Sequence, residues 1–94
     1  MKLPDIPSNH AVIIEAGSRE TKVEEILYPQ LDWLQKAVDG YVERIPLNIG
    51  GEPYEIYVNE EGLIHKLPFN EMASHIANIA LVGNVVIVPF GEIK

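Results

Sequence analysis

The sequence predicts an α+β fold in which a mainly antiparallel sheet of five or six short strands carries two helices on one face. Short apolar runs bounded by glycine, proline and asparagine recur along the chain, which is typical of strands joined by tight turns. Two other segments repeat apolar residues with helical spacing. The 94 residues predict a single domain over 10–94, preceded by a flexible N-terminal arm at 1–9.

The first part of the chain predicts a strand hairpin followed by a helix. Ala11–Ile14 is a short apolar strand, and Lys22–Leu27, with mixed polarity, is a strand paired back on it at a sheet edge. "YPQLDWLQKAVDG" predicts a helix with Pro29 at its first position and a left-handed Gly40 as its stop. Its buried stripe is Leu31, Leu34 and Val38.

A glycine turn separates the next two predicted strands. "YVERIPLNI" predicts a strand at 41–49, in which Pro46 marks a sheet edge or a bulge because proline cannot donate to a ladder. Gly50 and Gly51 form the turn, and "EPYEIYV" is the strand that follows. Its alternation puts Ile56 and Val58 on one face, with Glu55 and Tyr57 on the other.

The stretch "NEEGLIHKLPFNEMASHIAN" predicts a second hairpin and a second helix. A turn closes at Gly62, which takes the left-handed conformation, and Leu63–Leu67 returns as a strand until Pro68 breaks it. Asn70 is a favourable N-cap, and Gly83 ends the helical element. "NVVIVPF" is the last strand, and its unbroken apolar run indicates burial on both faces in the centre of the sheet.

The two halves of the chain resemble one another. "GYVERIPL", from Gly40, is similar to "GNVVIVPF", from Gly83. A ββαβ duplication would explain the likeness and would relate the halves by an approximate two-fold axis. The alternative is convergence, since a helix stop followed by a strand often has this pattern.

Composition excludes several classes of function. Acidic residues outnumber basic ones by 14 to 7, and direct binding to a nucleic-acid backbone requires a basic surface. The absence of cysteine excludes disulfides and thiolate metal sites. The apolar runs are too short for a membrane span and the N-terminal segment lacks a signal-peptide pattern, so we expect a cytoplasmic protein.

Three stretches carry a family resemblance: "LDWLQKAVDGYVERIPL", "YVNEEGLIHKLPFNEMA" and "GNVVIV". Through these stretches the chain resembles a group of small phage and bacterial proteins catalogued as domain of unknown function 3846. The resemblance extends from His10 to Pro89. The resemblance implies a short accessory protein, often encoded by a virus or mobile element and then acting in the host cytoplasm. It carries over no catalytic residue.

The chain shows no pattern of catalytic or metal-binding residues. Glu71 and His75 share a helical face, but two ligands are too few for a metal site. Glu60 and Glu61 belong to a turn, where solvated carboxylates are poor acid–base catalysts. No serine lies in a nucleophile-elbow or phosphate-loop context. We therefore predict no catalytic residue, no metal and no cofactor.

Five residues are candidates for binding. Trp33 lies off the helical stripe and is predicted to border a groove, while Tyr41 and Tyr57 belong to adjacent strands. If these rings are exposed, they suit a protein interface or base stacking. If they are buried, they belong to the hydrophobic core. Phe69 and Asn70 precede a helix whose free N–H groups could bind an anion or a carbonyl, unless Asn70 satisfies them as a cap.

The favoured function is a non-enzymatic binding protein that inhibits or regulates a host protein. One alternative is an oligomer that sequesters a small ligand, such as a nucleotide signal, in a groove near Trp33 and "LPFN". A minor alternative is a small metal-dependent enzyme. The predicted partners are thus a host protein or a small ligand, with neither nucleic acid nor membrane. Self-association through the edge strand Lys22–Leu27 is also predicted.

Overall fold

The computed structural model describes residues 3–94, which form one five-stranded sheet and two helices. The strands follow the order β2-β1-β5-β4-β3, and every neighbouring pair is antiparallel. The predicted α+β class is confirmed. The elements are β1 His10–Ile14, β2 Lys22–Glu25, α1 Gln30–Val38, β3 Val42–Ile49, β4 Glu52–Asn59, α2 Glu71–Ala77 and β5 Val85–Pro89.

Strand β5 lies at the centre of the sheet and is buried on both faces. Its four apolar residues Val85–Val88 are fully inaccessible to solvent, as the unbroken apolar run predicted. Val85 and Ile87 belong to one core cluster, and Val86 and Val88 belong to another. The strand therefore needs a covering layer on each side.

The two helices supply those layers from opposite faces, so the prediction of both helices on one face was wrong. Leu34 and Val38 of α1 pack in one cluster, which we call the α1-side core. Ala73 and Ile76 of α2 pack in the other, the α2-side core. The apolar residues of β1, β4 and β5 alternate between the two clusters, and each apolar face of a sheet must be covered.

The helix ends differ from the predictions in detail. Pro29 is the extended residue before α1, not its first helical residue. The left-handed residue after α1 is Asp39, with φ of 61°, rather than Gly40. Gly40 is required for another reason, because a Cβ atom there would lie 2.6 Å from Asn59 Nδ2. Helix α2 likewise ends at a left-handed Asn78, well before Gly83.

The predicted strand at Leu63–Leu67 is absent, and this part of the chain forms successive turns. Gly62 does not take the left-handed conformation expected of it. It is buried, and a Cβ atom at this position would lie 2.8 Å from Val82 Cγ2. The chain therefore folds back on the Val82 segment at once instead of extending along the sheet.

The sheet order argues against a two-fold axis between the halves. A duplication would make β1 equivalent to β4 and β3 equivalent to β5. Under that axis β1 and β3 would have to be neighbours, because β4 and β5 are neighbours. Instead, β1 and β3 are separated by both β5 and β4. The second half also lacks a counterpart of β2. The halves are therefore not related by the two-fold axis that a duplication predicted.

The N-terminal segment lies against the domain at two side chains. Leu3 and Ile6 are partly buried and pack on the α2-side core. The predicted flexibility of the arm at 1–9 stays a prediction, and its first two residues lie outside the described part of the chain.

Asn70 connects three parts of the fold. Its side chain is fully buried, and Nδ2 donates to Ile14 O at 2.9 Å and to Gly83 O at 2.8 Å. Oδ1 accepts a hydrogen bond from Ala73 N at 3.1 Å, which confirms the predicted N-cap of α2. One amide thus joins the end of β1, the approach to β5 and the start of α2.

We expect Asn70→Ala to lower the free energy of unfolding by about 3 kcal/mol, because the helix loses its cap and two buried carbonyls lose their donor. Asn48→Ala is the matched control, since Asn48 is exposed on β3, and its effect should stay within about 0.5 kcal/mol. Urea unfolding followed by Trp33 fluorescence measures both. Equal effects of the two substitutions would contradict the connecting role of Asn70.

Candidate functional site

The structure does not bring the five predicted binding residues into one groove. Trp33 packs against the α1-side core. Phe69 pairs with Val82 in a single antiparallel bridge, and Asn70 caps α2, which covers the opposite face of the sheet. Tyr41 is 65% exposed and immediately precedes β3. A groove formed by both Trp33 and "LPFN" is therefore a wrong prediction.

Two of the five residues belong to the interior. Tyr57 is only 4% exposed and is part of the α1-side core, where core packing had been the alternative to a surface role. Asn70 is buried and hydrogen-bonded as a cap, so its side chain already occupies one of the free N–H groups of α2. The side chains of both residues therefore belong to the packed interior of the domain.

Arg44 and Glu55 form an ion pair beside Tyr57 that the sequence did not reveal. Arg44 Nη1 lies 2.6 Å from Glu55 Oε2 across the β3–β4 ladder. The glutamate side chain is 8% exposed, whereas half of the arginine side chain remains in solvent. A carboxylate buried this deeply needs its cationic partner. The alternation of β4 predicts the face of Glu55, but only the strand register identifies Arg44.

Trp33 borders a groove between α1 and the β1–β2 hairpin, which we call the Trp33 groove. Its volume is about 290 Å³. Lys22 Nζ donates to Glu15 Oε1 at 2.7 Å, and that carboxylate raises the pKa of Lys22 above its ordinary 10.5. The lining consists of Ile13, Glu15, Lys22, Glu24, Trp33, Lys36, Ala37 and Asn84.

Asn84 holds the inner end of the Trp33 groove. Its Oδ1 accepts from Ala16 N at 3.1 Å, and its Nδ2 donates to Ala37 O at 3.2 Å. The end of β1, the start of β5 and helix α1 are therefore fastened by one amide. The predicted groove beside Trp33 exists, but it faces β2 rather than Phe69.

The segment 60–67, which we call the 60–67 loop, has a defined conformation. Asn59 starts it: Oδ1 accepts from Glu61 N at 2.8 Å, and Nδ2 donates to Val38 O and Asp39 O at 3.2 Å each. The backbone then bonds to itself three times, from His65 N to Glu61 O and from Leu67 N to Gly62 O, both at 2.9 Å, and from Lys66 N to Leu63 O at 3.2 Å. The loop is thus anchored to the end of α1 and to its own backbone.

The 60–67 loop displays two consecutive aliphatic side chains. Leu63 is 83% exposed and Ile64 is 75% exposed, the highest values among the large apolar residues of the described chain. Tyr41 stands at the base of the loop, because its carbonyl accepts from Glu60 N at 2.8 Å. Sequence reasoning missed this surface, since the two aliphatic residues were assigned to the returning strand of a hairpin.

The acidic and histidine side chains do not form a metal cluster. His65 Nε2 lies 3.7 Å from Glu61 Oε1 on the surface of the 60–67 loop. Over residues 3–94, no group of three or more His, Asp or Glu side chains is placed to hold a metal ion.

Neither helix in the described part of the chain has the length and apolar character needed to cross a membrane.

The buried phenol of Tyr57 predicts a loss of stability in alkali. Burial, reinforced by the Glu55 carboxylate and opposed by Arg44, raises the pKa of Tyr57 above its ordinary 10.0. The stabilising contribution is complete below pH 10.0 and is lost as the pH rises through the folded-state value. Urea unfolding at several pH values should show a shallower alkaline decline for Tyr57→Phe than for the wild type.

Tyr41→Phe is the control, because it removes a hydroxyl from an exposed ring. It should retain the wild-type decline. If Tyr57→Phe retained it as well, the phenol of Tyr57 would not be the group responsible.

Comparison with known proteins identifies a family. A family model described as "Domain of unknown function (DUF3846)" matches residues 9–92, nearly the whole chain. The chain belongs to this family, as the sequence resemblance indicated. No curated protein and no solved structure matched.

Proposed function

We propose that this member of the domain of unknown function 3846 family is a non-enzymatic binding protein that acts on a host protein through the 60–67 loop. We take it to be a short accessory protein of phage or bacterial origin. The exposure of Leu63 and Ile64 carries the proposal, because two neighbouring aliphatic side chains in solvent form an apolar patch of the kind that marks an interaction site.

The fixed conformation of the loop supports a binding role. A disordered segment loses conformational freedom when it binds, and this loss weakens the complex. The bonds from Asn59 and the contact of Gly62 with Val82 already hold the backbone of the loop. Leu63 and Ile64 are therefore presented before the partner arrives, as anchors of an interface usually are.

Charge indicates the kind of partner. Glu60 is exposed on the same loop as the two aliphatic residues, and the whole chain carries a net charge of −7. An apolar pocket with a basic rim would complement such a surface and would speed association. Because Glu60 and Glu61 lie on the loop and not inside a cleft, their role in this proposal is to select the partner electrostatically.

The test is a double substitution, Leu63→Ser with Ile64→Ser, compared with the wild type in affinity capture from host lysate. The wild type should retain a defined partner that the double variant loses. With the purified partner, the dissociation constant of the double variant should rise by about thirtyfold or more. Stability in urea should change by no more than about 0.5 kcal/mol, since both side chains are exposed.

Leu31→Ser is the control, because Leu31 lies on α1 and is 54% exposed, so its predicted place in the buried stripe was wrong. This variant should capture the same partner as the wild type. If the double variant kept the partner, or if Leu31→Ser lost it equally, the 60–67 loop would not be the binding surface.

A further inference from the structure

The outer edge of β2 has free backbone groups. Ile26 N donates to Asn9 O at 2.9 Å. By the register, the backbone groups of even-numbered β2 residues therefore bond to β1, and those of odd-numbered residues point away from the sheet. The N–H and C=O groups of Val23 and Glu25 have no hydrogen-bond partner among residues 3–94. All four residues of the strand are exposed.

The opposite edge of the sheet is blocked. Glu60 N donates to Tyr41 O. The backbone groups of odd-numbered β3 residues therefore bond to β4, and those of even-numbered residues point outward. Pro46 is an even position in the middle of β3, and it has no N–H to offer an added strand. The predicted edge position of this proline is confirmed, and β2 is the edge that can accept a strand.

The Trp33 groove adjoins the open edge. Lys22 and Glu24 are residues of β2, and their side chains form one wall of the groove, with Trp33 and Lys36 of α1 on the other. A strand added to β2 would extend the sheet beside this wall. Alternate side chains of that strand would then lie on the α1 side, next to the groove.

The edge strand β2 is acidic, with Glu24 and Glu25 against Lys22. Lys22 is paired with Glu15. Glu20, Glu24 and Glu25 make no ion pair within the described part of the chain. Charged side chains on an edge strand discourage indiscriminate pairing. Here they disfavour an acidic strand and favour a basic one.

We propose that the outer edge of β2 and the Trp33 groove together bind an extended, basic segment of a partner protein, added to the sheet as a sixth strand. Backbone hydrogen bonds to Val23 and Glu25 hold the segment. A basic side chain opposite Glu24 pairs with that carboxylate, and a large apolar side chain enters the groove beside Trp33. This site lies apart from the 60–67 loop and does not depend on its role.

A second copy of the chain is a poorer occupant than a basic segment. Its own β2 presents the same glutamates, and each copy has a net charge of −7. Association of like-charged copies is opposed at moderate ionic strength.

The probe for the test is a capped heptapeptide of lysine and valine with one central phenylalanine, titrated into isotope-labelled protein and followed by NMR. The amides of Val23 and Glu25 and the indole N–H of Trp33 should shift. The same peptide with glutamate in place of lysine should bind about fivefold or more weakly. Methylating the peptide nitrogens that face β2 should abolish the shifts of Val23 and Glu25.

A charge-reversed variant, Glu24→Lys with Glu25→Lys, should prefer the glutamate peptide. Glu43→Lys with Glu52→Lys changes the net charge equally on β3 and β4 and should keep the wild-type preference. The proposal is overturned if the lysine peptide shifts no β2 amide, if both variants change alike, or if sedimentation shows a dimer in which the amides of Val23 and Glu25 are protected from hydrogen exchange.

Discussion

Burial of β5 on both faces is the constraint on which the rest of the structure depends. A strand of unbroken valine and isoleucine cannot face solvent on either side, so the chain must supply two covering layers. Helix α1 covers one face and α2 the other, and neighbours β1 and β4 divide their apolar residues in the same way. With only 94 residues, little is left to shield the margins of the sheet. The Trp33 groove lies at such a margin.

Three asparagine amides position the covering layers. Asn59 binds the carbonyls at the end of α1, Asn70 caps α2 and reaches β1, and Asn84 joins α1 to Ala16, two residues after β1. Each amide satisfies backbone groups that regular structure leaves free. The surfaces proposed for binding are built on these contacts, because Asn59 starts the 60–67 loop and Asn84 closes the inner end of the Trp33 groove.

The sequence predicted what depends on local pattern. The central position of β5, the N-cap at Asn70, the edge position of Pro46 and the opposed faces of Ile56 and Tyr57 all followed from alternation or from one residue's backbone preference. Prediction from the sequence failed where contacts between distant parts of the chain determine the local structure. Leu63 is apolar enough for a strand, but the chain closes into turns on its own backbone and packs Gly62 close to Val82.

The location of the candidate surfaces was harder to predict than the fold. Trp33 was expected beside a groove, and it is, but the second wall of that groove comes from β2, whose position next to β1 places Lys22 and Glu24 there. The Arg44–Glu55 pair likewise depends on the register of β3 against β4. Register is fixed by tertiary packing, and a single sequence reports it only indirectly.

Pro46 also limits how far this protein can polymerise. If two copies joined through β2, the continuous sheet would end in β3 on both sides, and each end would present a proline. No third copy could extend the ladder by regular pairing at either end. Growth by edge addition would therefore stop at a closed pair. The protein could add a strand at β2 without the open-ended stacking that produces fibrils.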